Sequence, residues 1–143
     1  DWALPSNACV RLSDGGTLHL YGKAAYITNV VYAAGGGWIK KRENATIPDT
    51  FTMETTIEDI AAGKAIALTG DVDLEGVPLT VFGDDFSALD PTKKGGYPVV
   101  TATGTLTGAP ALTSEPLPAN WAYRQRGNKI SLVYLKGTML IVR

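Results

Sequence analysis

The chain has 143 residues and a formal net charge of −1, with 45% hydrophobic and 19% charged residues. A chain of this length predicts a single domain, residues 1–143, that is large enough to bury a hydrophobic core. The charge near zero argues against a nucleic-acid partner. No apolar run reaches the roughly 18 residues of a membrane-spanning helix, which argues against a membrane span.

The first residues of the chain suggest a processed protein. The chain begins Asp1-Trp2-Ala3-Leu4-Pro5 without an initiator methionine, so we expect that a targeting segment has been removed or that this is a piece of a longer precursor. Cys9 is the only cysteine, which excludes a disulfide bond within the chain. We expect Cys9 to be a small buried side chain in a strand, with an intermolecular disulfide as the alternative.

Alternation with a period of two residues is the main structural signal along the chain. It is the pattern of strands that bury one face. The residues that share a face in each run are, in chain order, Leu18 and Leu20; Phe51, Met53, Thr55 and Ile57; Ile66, Leu68, Val72 and Leu74; Val77, Leu79 and Val81; and Ile130, Leu132 and Tyr134.

Turn signals rich in glycine separate these runs, and only one helix is predicted. The helix covers residues 57–62 and is cut short by Gly63. Strand centres recur at intervals of roughly 8–13 residues, the spacing of sandwiches, barrels or solenoids. The fold class is therefore all-β. Short strands introduced by similar phrases, such as Gly16-Thr17-Leu18 and Gly104-Thr105-Leu106, favour a short β-solenoid (β-helix) of stacked rungs, with a β-sandwich or jelly roll as the alternative.

Four segments carry a resemblance to a known family. They are "LSDGGTLHLYGKAAYITNV" at residues 12–30, "AIALTGDVDLEGVPLTV" at 65–81, "YPVVTATGTLTGAP" at 97–110 and "LPANWAYRQRGNKISLVY" at 117–134. The chain resembles autotransporter-like surface proteins of bacteria, and the last two segments are similar to those that close their repeats. The resemblance implies a right-handed β-helix on the bacterial cell surface or outside the cell, in the C-terminal portion of a longer protein, with no catalytic residues to carry over.

No residue pattern predicts an enzyme, a cofactor site or a metal site. His19 is the only histidine and is expected to face solvent on a strand. Asp71 and Asp73 lie two apart on a predicted strand, so both carboxylates share one face. This pair is expected to be solvated, and Ca²⁺ binding or acid–base cleavage of a polysaccharide are its alternatives.

The predicted function is structural. A small stacked β-protein leaves unpaired backbone groups and apolar side chains at its ends, and uncapped ends that meet head to tail build filaments. We expect a secreted subunit whose main partners are copies of itself, in an extracellular fibre or surface layer, with removal of residues 138–143 abolishing assembly. The alternative is a carbohydrate-binding adhesin or a polysaccharide-acting β-helix protein that uses its tryptophan and tyrosine rings on surface glycans. The predicted assembly residues are Trp2, Leu4, Met139, Leu140, Ile141 and Val142.

Overall fold

A computed structural model describes residues 8–20, 27–41, 51–113 and 117–135, and within them the chain is mostly β. Its single α-helix in these ranges, α1, covers Ile57–Ala61, as the sequence predicts. The strands are β1 (Ala8–Leu12), β2 (Gly16–Leu20), β3 (Ile27–Tyr32), β4 (Gly37–Lys41), β5 (Thr52–Thr56), β6 (Ile66–Leu68), β7 (Val72–Asp73), β8 (Pro78–Phe82), β9 (Tyr97–Ala102), β10 (Leu106–Thr107), β11 (Ala111–Leu112), β12 (Trp121–Arg126) and β13 (Lys129–Tyr134).

The strands form several open sheets in which parallel pairing dominates. The largest sheet has the order β1-β3-β5-β8-β11, and every pair in it is parallel. Two smaller sheets pair β2 with β4 and β7 with β10, again in parallel. Each strand in these sheets therefore pairs with a strand further along the chain and not with its immediate successor. Parallel strands require such crossover connections.

The fourth sheet has the order β12-β13-β9-β6 and departs from this rule. β6 and β9 are parallel, whereas β13 runs antiparallel to both β9 and β12. Arg126 pairs with Lys129, so only Gly127 and Asn128 form the loop between β12 and β13. Gly127 has a φ of 59°, and a positive φ at the first central residue is what a type II′ hairpin turn requires.

Turns stack on turns as strands stack on strands. The N–H of Asp14 donates to the carbonyl of Ala34 at 2.9 Å, and the N–H of Gly35 donates to the carbonyl of Ala65 at 2.7 Å. Gly36, just after the second of these turns, lies so close to β6 that a Cβ there would overlap the backbone of Ala67, and its φ is 60°. Glycine is needed at this position both for its backbone conformation and for the close approach.

The hydrophobic core lies between the sheets. α1 contributes two of its members: Thr56 caps the helix by accepting a hydrogen bond from the N–H of Asp59 at 3.0 Å, and Ile57 and Ile60 point into the core. The buried core cluster consists of Met53, Ile57, Ile60, Ile66, Leu68, Leu74, Leu79, Val81, Leu89, Tyr97, Val99, Val100, Ala102, Leu106, Ile130 and Leu132.

Burial confirms the predicted alternation in β5 and β8 but not in β13. Along β5 half-buried and buried residues alternate, and the buried ones are Met53 and Thr55, which are expected to share a face. In β13, Ser131 and Val133 are buried together with Ile130 and Leu132. The prediction of a half-buried strand there is wrong, because β13 is covered on both faces. No helix in the described residues is both long enough and apolar enough to cross a membrane.

We predict that the close approach of Gly36 to the backbone of β6 is needed for stability. Gly63→Ala places a side chain at a φ of 82° with no atom within 4 Å of the new Cβ, so it should cost only the backbone strain of about 1–2 kcal/mol. Gly36→Ala should lower the free energy of unfolding by roughly 1–3 kcal/mol more, because the new methyl group collides with the Ala67 backbone. Urea denaturation of both variants measures the difference, and equal losses would show that the close approach of Gly36 to Ala67 does not contribute to stability.

Candidate functional site

The free edge at β11 is the first candidate for a functional surface. β11 pairs with β8 through Ala111 and Leu112, and no strand in the described part of the chain pairs with its other side. Both residues are exposed. A strand edge with unpaired N–H and C=O groups can accept a further strand.

Leu112 lies at the end of a row of side chains that crosses the five-stranded sheet. The register places Leu12, Tyr32, Met53, Leu79 and Leu112 side by side on successive strands. Met53 and Leu79 have no exposed surface and Leu12 is 5% exposed, whereas Leu112 is 51% exposed. The core row is therefore covered at its β1 end and open at its β11 end.

The β12–β13 hairpin covers the edge of β9 in the neighbouring sheet. The loop residue Asn128 accepts a hydrogen bond from the N–H of Ala102 at 2.9 Å and donates its side-chain amide to the Ala102 carbonyl at 3.1 Å. The Gly127 carbonyl accepts from the N–H of Leu106 at 3.2 Å. The edge of β9 is therefore occupied, and β12 becomes the outermost strand. The turn signal at Gly127-Asn128 marks this hairpin in the sequence, but the pairing of β13 with β9 has no local sequence signal.

The acidic pair singled out by sequence has a structural role. Oδ1 of Asp71 accepts a hydrogen bond from the N–H of Thr105 at 2.9 Å, and Oδ1 of Asp73 accepts from the N–H of Glu75 at 3.0 Å. Glu75 in turn accepts from the N–H of Ala109 at 3.0 Å. Both aspartates are exposed, as expected. Within the described residues, no group of three or more His, Cys, Asp or Glu side chains is arranged to hold a metal ion.

Aromatic side chains gather where the hairpin meets the loop after β8. The ring centroids of Phe86 and Trp121 are 5.7 Å apart, and those of Trp121 and Tyr134 are 5.2 Å apart in an edge-to-face arrangement. Asn120 donates a hydrogen bond to the Tyr134 hydroxyl at 3.3 Å. The Tyr123 hydroxyl nearby is buried without a partner, and its burial raises the pKa of Tyr123. We name Phe86, Trp121 and Tyr134 the aromatic cluster.

Asx-type turns hold the loop after β8 in place. Asp85 and Asp90 accept hydrogen bonds from Ser87 and Thr92, and these bonds lower the pKa of both carboxyls. The Tyr97 hydroxyl accepts from the N–H of Asp90 at 2.7 Å, which anchors the middle of the loop to β9. The loop is thereby fixed over the edge of the core that carries the aromatic cluster.

A charged groove of about 250 Å³ lies on the outer side of β1 and β5. The Arg11 guanidinium and the Glu54 carboxylate form an ion pair at 2.5 Å in this groove, with Asp59 and Lys64 also in its wall. The buried Thr55 hydroxyl beside it has no hydrogen-bond partner. Two cationic and three acidic side chains line the groove, and Arg11 and Glu54 neutralise each other across it.

The predicted assembly residues are not tested by this geometry. Trp2, Leu4 and residues 139–142 lie outside the described residues. The side chains of Cys9 and His19 also lie outside them, although the backbones of both residues belong to strands, as predicted.

Comparison of the chain with models of protein families, with curated proteins and with solved structures finds no match.

We predict that Asp71 stabilises the fold through its hydrogen bond and not through its charge. Asp71→Ala leaves the Thr105 N–H without its acceptor and should lower the free energy of unfolding by about 1 kcal/mol. Asp71→Asn keeps an acceptor oxygen in the same place and should unfold close to the wild-type midpoint. Chemical denaturation compares the two, and a loss of equal size in both variants would assign the effect to the negative charge instead.

Proposed function

We propose that this chain is a short parallel β-solenoid and that it serves as a structural subunit of a secreted bacterial surface protein similar to autotransporter-like passengers. In this proposal the subunit associates with copies of itself through open β-edges, and the product is an extracellular fibre or a layer on the cell surface. Each rung of the solenoid contributes one strand to each of the stacked sheets.

Parallel pairing between non-consecutive strands favours the solenoid over a sandwich. Sandwiches are built from antiparallel sheets in which neighbouring strands along the chain often form hairpins. Here β12 and β13 are the one consecutive pair that is hydrogen-bonded among the described strands. Side-chain hydrogen bonds next to β7 and β10 span nearly the same sequence separation as the pairing of these two strands. Thr103 accepts from the N–H of Gly70, 33 residues earlier, and Asp71 accepts from the N–H of Thr105, 34 residues later.

The observation that carries the assembly proposal is the half-exposed Leu112, which lies next to the fully buried Leu79 and Met53 in the same row. Covering its exposed half is worth about 1 kcal/mol, since full burial of a leucine side chain contributes about 1.5–3 kcal/mol. A partner strand would add backbone hydrogen bonds along β11. The apolar residues near the termini, Trp2, Leu4 and residues 139–142, are the proposed segments that occupy such an edge.

We predict that a charge at Leu112 prevents association. Leu112→Lys would place an ammonium group where the next rung needs an apolar side chain, and the assembled fraction should fall at least about tenfold, which corresponds to about 1.4 kcal/mol. Light scattering after size exclusion measures the mass in solution, and negative-stain electron microscopy shows any fibres.

Phe82→Lys is the matched control for this experiment. Phe82 is 52% exposed and lies on β8 of the same sheet, outside the β11 edge. It should assemble like the wild type. A wild-type protein that is a monodisperse monomer at high concentration, or a Leu112→Lys variant that assembles normally, would rule out association through this edge.

The aromatic cluster favours a second candidate, a carbohydrate-binding adhesin. Aromatic rings at a protein surface bind the apolar faces of sugars, and a neighbouring amide such as that of Asn120 provides a hydrogen-bonding group beside Tyr134. Tyr134 is 36% exposed and Trp121 is half-buried. A polysaccharide-acting role has less support, because Asp71 and Asp73 are already bonded to backbone N–H groups.

We predict for this second candidate that Trp121→Ala weakens glycan binding about tenfold, since a lost aromatic contact is worth about 1 kcal/mol or more. A glycan array identifies the ligand, and titration calorimetry with that glycan compares the variant with the wild type. Phe82→Ala removes an exposed ring elsewhere and should bind normally. A wild-type protein that retains no glycan on the array removes the adhesin candidate.

A further inference from the structure

The outermost strand of the four-stranded sheet, β12, is a longer free edge than β11. All six residues Trp121–Arg126 pair with β13 on one side. On the other side, no described strand pairs with β12. By length alone it is the better template for a further strand, since each additional residue adds to the ladder of backbone hydrogen bonds.

Two arginines distinguish this edge from β11. Arg124 and Arg126 lie two positions apart and therefore on the same face of β12, and both are exposed. Within the described residues neither forms an ion pair. Arg126 is already directly opposite Lys129 of β13, and like charges opposite each other on neighbouring strands destabilise their pairing. β11 offers only Ala111 and Leu112 and carries no charge.

A second copy that paired with β12 would increase this unfavourable charge. In a parallel pairing in register, each arginine would lie opposite its own counterpart, and in an antiparallel pairing centred on Arg124 the two copies of that residue would face each other. Natural sheets protect exposed edges with charged side chains in this way. We infer that Arg124 and Arg126 keep the free edge of β12 from pairing with a second copy of the chain.

The consequence is that self-association would use the β11 edge and not the β12 edge. The hairpin covers the edge of β9 and presents the charged edge of β12 in its place, while the β11 edge of the other sheet is uncharged and ends in an exposed leucine. The choice of β11 as the accepting edge rests on the proposed function. The protection of β12 does not, because it concerns an edge that the proposed assembly leaves unused.

The experiment uses the Leu112→Lys protein as its background, so that association through β11 is suppressed. Adding Arg124→Thr and Arg126→Thr removes both charges while threonine keeps a high β-propensity in the strand. The matched control adds Lys64→Thr and Lys94→Thr, which remove the same charge from two exposed positions outside β12. Light scattering after size exclusion gives the mass of each protein, and circular dichroism and thermal unfolding report whether the fold is kept.

We expect the triple variant L112K/R124T/R126T to shift to at least twice the mass of its background with native circular dichroism, while L112K/K64T/K94T keeps the background mass. A triple variant that keeps the background mass overturns the inference. So does a control variant that associates to the same extent, or association that occurs only after the native spectrum is lost. A monomeric wild type would contradict the proposed assembly through β11, but the comparison between these variants would still decide the role of the two arginines.

Discussion

The structure depends on a ladder of backbone hydrogen bonds between parallel strands that are not consecutive along the chain. The N–H groups of Val72 and Leu74 donate to the carbonyls of Thr105 and Thr107 at 2.9 and 2.7 Å, and side chains such as Asp71 repeat the same offset. A slip of one residue in this register would turn every side chain to the opposite face of its sheet. Leu74 and Leu106, which are now buried, would then face solvent. Correct register and a continuous core are therefore a single requirement. Gly36 allows the close backbone approach to β6 that accompanies this packing.

The same ladder makes the ends of the molecule different from its middle. Each internal strand has a neighbour on both sides, whereas an end strand has one, and backbone groups at a free edge must be paired, covered or protected. The strand that pairs with β9 and the strand that pairs with β8 leave different edges. The antiparallel strand β13 closes the edge of β9, while β11 contributes two residues and leaves Leu112 half exposed. Because β9 is covered and the new edge at β12 carries two arginines, a further strand is directed to β11, and this restriction gives the proposed assembly its direction.

Local pattern predicted several of the strands but not their partners, and it joined β6 and β7, which belong to different sheets, into one run. Alternation identified β5 and β8, and a short apolar run ended by Gly63 identified α1, because burial of one face leaves a trace in neighbouring residues. Pairing leaves no such trace, since Asp71 and Thr105 are 34 residues apart and only the register brings them together. For that reason the sequence leaves Ca²⁺ binding and catalysis open for the acidic pair, whereas in the fold both carboxylates accept hydrogen bonds from backbone N–H groups. The prediction that β13 buries only one face is wrong for a related reason. Burial of its second face depends on the elements that cover it, and alternation within six residues carries no information about those elements.

The shape of the open row also limits which strand could fill the β11 edge in the proposed assembly. A strand that pairs with β11 directs every second side chain toward the core side of the sheet. The position next to Leu112 continues a row in which Met53 and Leu79 are fully buried, so a polar group there would lose water without gaining a hydrogen-bond partner. The positions on either side continue the outer face, where Thr80 and Thr113 are hydrogen-bonded through their hydroxyl groups and polar side chains are accepted. Because β11 itself offers only two residues for backbone pairing, the apolar side chain at that one position has to supply much of the selectivity, and an alternating segment with an apolar residue in that register is the partner that the edge fits.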